Sequence, residues 1–196
     1  MSIILKTIKL KNLNEGVFSS FLNNWLLFSE LNIKEALRLT EKTSRKFNLK
    51  TGNQLEKIQK AFIYCYFDSP KTDVVFKNMI LNENEDYSRY YFFHANYLFG
   101  KNNIPAAKKI INSALKTHPE KIILNQMHHE LNFPNKIKLS NQFSCDKLSN
   151  VVAEIFYIIS NILSSQESYS NSNLYLNLAT YLNPNSNQWV TFVHGA

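Results

Sequence analysis

Two stretches of this chain repeat the same arrangement of short and bulky side chains, and that repetition limits what it can fold into. One unit runs from Ser88 to Pro119 and the other from Ala153 to Pro184. In the first helical half, an aromatic is followed by a small residue and then a large one: Tyr91, Ala95, Leu98 in one unit and Phe156, Ser160, Leu163 in the other. The second half reads small, large, small, proline: Ala107, Ile111, Ala114, Pro119, then Ser172, Leu176, Ala179, Pro184. Helices joined by a three-residue turn cross at roughly 8–10 Å, so only a short side chain fits where their axes pass. Ala95 and Ala107 are suited to that slot from its two sides, and Ala114 lets the next helix approach. Proline then blocks continuation of the helix.

Helical spacing extends through the rest of the chain. Val17, Phe21, Trp25 and Phe28 predict a helix over about Asn14–Glu30. Asn32 and Glu35 stand in capping-box positions before a second helix that runs to about Phe47. A third helix is expected over Gln54–Phe67, stopped by Asp68-Ser69-Pro70, and a fourth over Thr72–Leu81. Lys50–Asn53 and Asn82–Glu85 read as the breaks between them. With only 4 Gly and 5 Pro in 196 residues, the chain lacks the turns of an all-β fold and the glycine cluster of a Rossmann or phosphate loop.

The two units are each about 34 residues from repeat to repeat, and their pattern of residues resembles the tetratricopeptide repeat. The resemblance is weaker over Gln54–Tyr87, where Asp73 and Ile80 occupy small-residue slots, and weakest over Val17–Asn48. It implies an all-α, right-handed α-solenoid over residues 1–184, with degenerate hairpins at 17–48 and 54–87 and an inserted helix and loop over 120–150. That insertion separates Pro119 from Pro184 by 65 residues and contains a helix over about Glu120–Leu131. Residues 185–196 form an atypical tail, with Trp189 and Phe192 where a polar cap belongs, and read as the end of a fragment.

In such arrays the first helix of each repeat lines a concave groove that holds a partner. Carried onto the two good units, the groove positions are Arg89, Phe92, Asn96 and Phe99, then Tyr157, Asn161 and Ser164. Asparagine can both donate to and accept from a peptide backbone, and arginine can fork onto a carboxylate. The resemblance therefore implies a protein-interaction scaffold that takes a peptide or a partner protein, with no cofactor and no catalytic role. Two other readings stand beside it: a basic helical array that binds nucleic acid, and the helical interaction domain of a larger, truncated enzyme.

The charge of +7 favours the nucleic-acid reading only weakly, because the basic residues are spread out. Residues 1–60 carry 11 Lys/Arg against 5 Asp/Glu, residues 61–100 carry 3 against 5, and residues 101–150 carry 8 against 3. His128 and His129 are adjacent, so they point about 100° apart on a helix and do not make a metal pair. His94 falls on the packed side of its helix. Cys65 and Cys145 are too few for a disulfide framework, and Cys65, inside Ala61–Tyr66, reads as a small buried hydrophobe. The absence of a long apolar run or a leader-like start predicts a cytoplasmic chain with no transmembrane segment.

Overall fold

The computed structural model describes residues 16–46, 54–81, 87–133 and 143–186. The expected breaks at Lys50–Asn53 and Asn82–Glu85, and the tail from Asn187 with Trp189 and Phe192, lie outside the described residues. Among the described residues there are nine α-helices and no strand. They are α1 (Val17–Leu27), α2 (Ile33–Lys46), α3 (Gln54–Tyr66), α4 (Thr72–Ile80), α5 (Tyr90–Gly100), α6 (Ile104–Thr117), α7 (Ile122–Asn132), α8 (Leu148–Ser165) and α9 (Tyr169–Leu182). A 3₁₀ turn at Phe28–Glu30 follows α1.

Local chemistry sets the ends of these helices. Asn32 Oδ1 accepts the Glu35 N–H at 3.1 Å, and the Glu35 carboxylate accepts the Asn32 N–H at 3.2 Å. That reciprocal capping box satisfies two donors that the start of α2 would otherwise leave open. Asn103 Oδ1 caps α6 by accepting from Ala106, with Pro105 in the first turn. The turns after α3, α5 and α8 each carry one left-handed residue: Asp68 (φ 47°), Asn102 (φ 59°) and Glu167 (φ 61°). A single left-handed residue is the usual way to leave a helix quickly and start its antiparallel neighbour.

Each helix from α1 to α7 packs on the next in chain order, as a series of hairpins does, and α8 packs on α9. The small-residue slots lie inside, where the close crossings need them. Ala95, Ala107, Ala114 and Ala179 are all fully buried. In the second unit the equivalent slots hold Ser160 and Ser172, whose hydroxyls meet at 3.0 Å across the α8–α9 crossing. Serine is tolerated there because each hydroxyl satisfies the other.

The departure from a simple row of hairpins is α8. It starts at Leu148, five residues earlier than its repeat pattern suggests, and it lies against α1 as well as α9. Every residue from Asn150 to Tyr157 is buried. A helix that is apolar on all sides belongs in an interior rather than on a rim. Among the described residues α8 is the one helix long and apolar enough to cross a membrane, yet 61% of it is buried inside the protein.

The aromatic core is organised around Phe62 of α3. Its ring lies 5.3 Å from Phe93, 5.8 Å from Phe143, 6.1 Å from Tyr90 and 6.2 Å from Phe76, centroid to centroid. Trp25 of α1 adds edge contacts to Phe28 and Tyr66, and its indole N–H donates to Gln59 Oε1 of α3.

Filling a slot tests this packing. Ala107→Leu forces new methylene groups into a site with no free volume, and is expected to lower unfolding stability by about 1–3 kcal/mol. Lys109→Leu, one turn face away and exposed, should shift it by less than about 0.5 kcal/mol in the same urea titration.

Candidate functional site

The expected groove residues of the first good unit sit on the start and inner face of α5, and the chain itself covers that face. Arg89, just before α5, turns inward to α8. Its Nε and Nη2 donate to the two carboxylate oxygens of Glu154, each at 2.8 Å. Tyr157, one turn further along α8, lays its ring 4.3 Å from the guanidinium, and Phe93 lies 5.5 Å away on α5. Glu154 is fully buried, and the Arg89 side chain is 21% exposed. Two charges removed from water are held together by a bidentate fork and an aromatic face, the geometry that best offsets their desolvation.

The electrostatics follow from that burial. Desolvation is the largest influence on Glu154 and pushes its carboxyl above the ordinary value, while Arg89 pulls it back. For Arg89 burial opposes the charge, but the Glu154 carboxylate more than compensates, so the guanidinium is held even more firmly protonated than usual. Burial also raises the phenol of Tyr157, against which Arg89 and a hydrogen bond with Asn161 act in the opposite sense.

The remaining expected positions divide between inside and outside. Phe92 is fully buried. Asn96 is buried, and its Nδ2 donates to the backbone carbonyl of Phe143 at 2.9 Å. Phe99 is half-buried, while Asn161 and Ser164 near the end of α8 are exposed. Arg89, Asn96 and Tyr157 thus engage the chain's own α8 and the segment leading into it.

That segment, Phe143–Lys147, lies across α3 and α5 like a strap. Phe143 is buried against Phe93, at 4.6 Å, and Phe62. A tight turn closed by Lys147 N–H to Ser144 O, at 3.2 Å, follows. Cys145 at its centre is bonded to Cys65 of α3, 80 residues away. This corrects the expectation that Cys65 is a lone buried thiol. Spacing of 80 residues carries no hint of the pairing, which depends on the strap crossing α3. By chain entropy alone, closing a loop of that length stabilises the fold by about 4–5 kcal/mol.

Beside the disulfide a cleft of about 310 Å³ opens, lined by Cys65, Cys145, Tyr66, Asn96, Tyr97 and Phe99, among others. At its rim Lys101 pairs with Asp68, and that hydrogen bond is the main cause holding the lysine above its usual range. Asn96 and Phe99 are the expected groove residues that line this opening. Phe143, Cys145 and Glu154 were not among the expected site residues. The signal that could have found Glu154 is its position as the lone charge within the apolar run Val151–Ile159, where a carboxylate requires a partner.

Outside this face, His94 Nε2 lies 2.8 Å from Asp73 Oδ1, and Asp73 also binds Lys77 at 2.6 Å. His94 is fully buried and stacked on Phe76, and its Nδ1 has no hydrogen-bond partner. Burial is the largest influence on His94 and lowers its pKa from 6.5, with Asp73 offsetting part of the shift. Burial would raise Asp73, but hydrogen bonds from Lys77 and His94 prevail and lower it from 3.8. Among the described residues no three His, Cys, Asp or Glu side chains gather as metal ligands. His128 is engaged by Asn132, and the His129 ring packs against Phe133.

Two outcomes are expected. Glu154→Gln takes away the carboxylate onto which the buried Arg89 guanidinium forks and should cost about 3–5 kcal/mol in denaturant unfolding, whereas Arg89→Met combined with Glu154→Leu should recover most of that loss. For His94 the unfolded chain takes up a proton near pH 6.5 while the folded one resists it. Its contribution is therefore complete above pH 6.5 and is lost as pH falls below that, at no more than about 1.4 kcal/mol per pH unit. Asp73 acts with the same sign below pH 3.8. The melting temperature should decline between pH 7 and 5.5, and His94→Gln should flatten the decline. No protein-family model, curated protein or solved structure matches this chain.

Proposed function

We propose that this chain is a protein-binding helical array, of the tetratricopeptide kind, that holds a short peptide segment of a partner against the inner face of α3 and α5. One observation carries the reading: the face already holds a peptide of this chain. Asn96 binds the Phe143 carbonyl at 2.9 Å while the Phe143 ring fills a pocket made by Phe62 and Phe93. A backbone clamp beside an apolar anchor pocket is the division of labour by which peptide grooves combine affinity with selectivity. The buried alanines at the hairpin crossings, and Ser160 against Ser172, support the repeat assignment and with it a role in binding. We assign the chain no catalytic step and no cofactor. A cytoplasmic home would keep the Cys65–Cys145 bond open most of the time, whereas an oxidising compartment would keep it closed.

The test needs the face uncovered. In a variant carrying Phe143→Ala, Cys65→Ser and Cys145→Ser, a random peptide library displayed on phage should enrich sequences with one aromatic anchor. Adding Asn96→Ala to that variant should weaken the selected peptides at least about tenfold, the effect of a lost buried hydrogen bond. A helical, monomeric variant that enriches no peptide over background would rule the reading out.

A further inference from the structure

The strap is joined to the face it covers by one covalent bond, between Cys145 and Cys65 of α3. Phe143 is held by packing and by Asn96, Leu148 is buried at the start of α8, and between them Cys145 is tied to Cys65. Both cysteines are buried, at 5% and 8% exposure, but both line the cleft of about 310 Å³, which is the route by which a small thiol would reach the bond. The tie runs to the middle of the binding face rather than to a remote staple point, because Cys65 lies three residues from Phe62, the pocket residue.

We propose that Phe143–Lys147 is a built-in competitor for the peptide face, and that the Cys65–Cys145 disulfide locks it in place. This inference rests on the peptide-binding reading and adds its regulation. With the disulfide closed, a partner peptide cannot displace the strap, because its Cβ and backbone stay fixed over α3. A dithiol reductant opens the lock in two steps. One thiolate of the reductant attacks a sulfur of the disulfide, the S–S bond breaks and a cysteine thiolate leaves, taking up a proton from water. The second thiolate of the reductant then attacks the mixed disulfide, releasing the other cysteine and closing the reductant's own disulfide. Two electrons pass to the protein, which ends with two thiols. The strap then holds only through Phe143 and Asn96, and a partner segment with an aromatic anchor followed by a tight turn can replace it. The strap stays tethered at high effective concentration, so the exchange favours partners present in excess or with a better anchor.

The experiment uses the full chain in both redox states. A fluorescein-labelled octapeptide with the sequence of Phe143–Asn150, carrying Cys145→Ser so that it cannot form a disulfide, is titrated with oxidised protein and with protein reduced by dithiothreitol. Fluorescence anisotropy is expected to give binding at least about tenfold tighter to the reduced protein, the entropic advantage lost when a competitor is no longer covalently fixed. Phe143→Ala in the reduced protein should tighten binding further by weakening the internal competitor. Far-ultraviolet circular dichroism should show the same helical signal in both states at 25 °C. Equal affinity in the two states would overturn the lock, as would collapse of the helical signal on reduction, since the bond would then be a staple of the whole fold. If the uncovered variant described above binds peptides while the native chain responds equally in both states, the lock fails and the peptide-binding reading stands. If the uncovered variant binds none, both fail.

Discussion

The structure depends on a single desolvated contact, the fork between Arg89 and Glu154. Helix α8 can occupy the interior because most of its buried surface is apolar, and Glu154 is its one charged residue. A carboxylate in that setting is tolerable at one register, the one that brings it to Arg89 with Tyr157 alongside. Sliding α8 by a turn, or rotating it by one residue, would separate the buried carboxylate from the guanidinium at a cost of several kcal/mol. The pair thus adds little net stability over an apolar replacement but penalises every misplaced arrangement of α8. Once α8 is fixed, the strap that leads into it is brought across α3 and α5, and Cys145 is carried to Cys65.

This dependence explains why the inner face of the hairpins is closed. The expected groove positions Arg89 and Tyr157 face each other because α8, which carries Tyr157, packs against the start of α5. Arg89, Asn96 and Tyr157, expected to contact a partner, contact the chain's own segments instead, while Asn161 and Ser164 stay exposed. Asn96 illustrates the point, since its side chain donates to a backbone carbonyl as a groove asparagine would, and the carbonyl belongs to Phe143.

Local features were legible in the sequence and distant pairings were not. The reciprocal cap of Asn32 and Glu35 and the helices that begin at Gln54 and Thr72 all follow from interactions within a few residues. The buried alanines were legible because helices crossing at close range leave room for little else. The repeat pattern places the start of this helix at Ala153, whereas Leu148, Val151 and Val152 carry its apolar face further upstream. The partners of Arg89 and Cys65 lie 65 and 80 residues away. Their identity depends on where α8 packs, which no local pattern encodes, although an isolated carboxylate in an apolar helix signals that some cation must be near.

The position of α8 late in the chain has a consequence for synthesis. The faces of α1, α3 and α5 that α8 and the strap before it touch leave the ribosome first, and α8 is complete only 65 residues after α5 ends at Gly100. At about 5–20 residues per second, those faces wait roughly 3–13 s for their cover. During much of that interval Phe62 and Phe93 lack the cover of the Phe143 ring, and transiently uncovered apolar surface of this kind is what exposes a growing chain to aggregation.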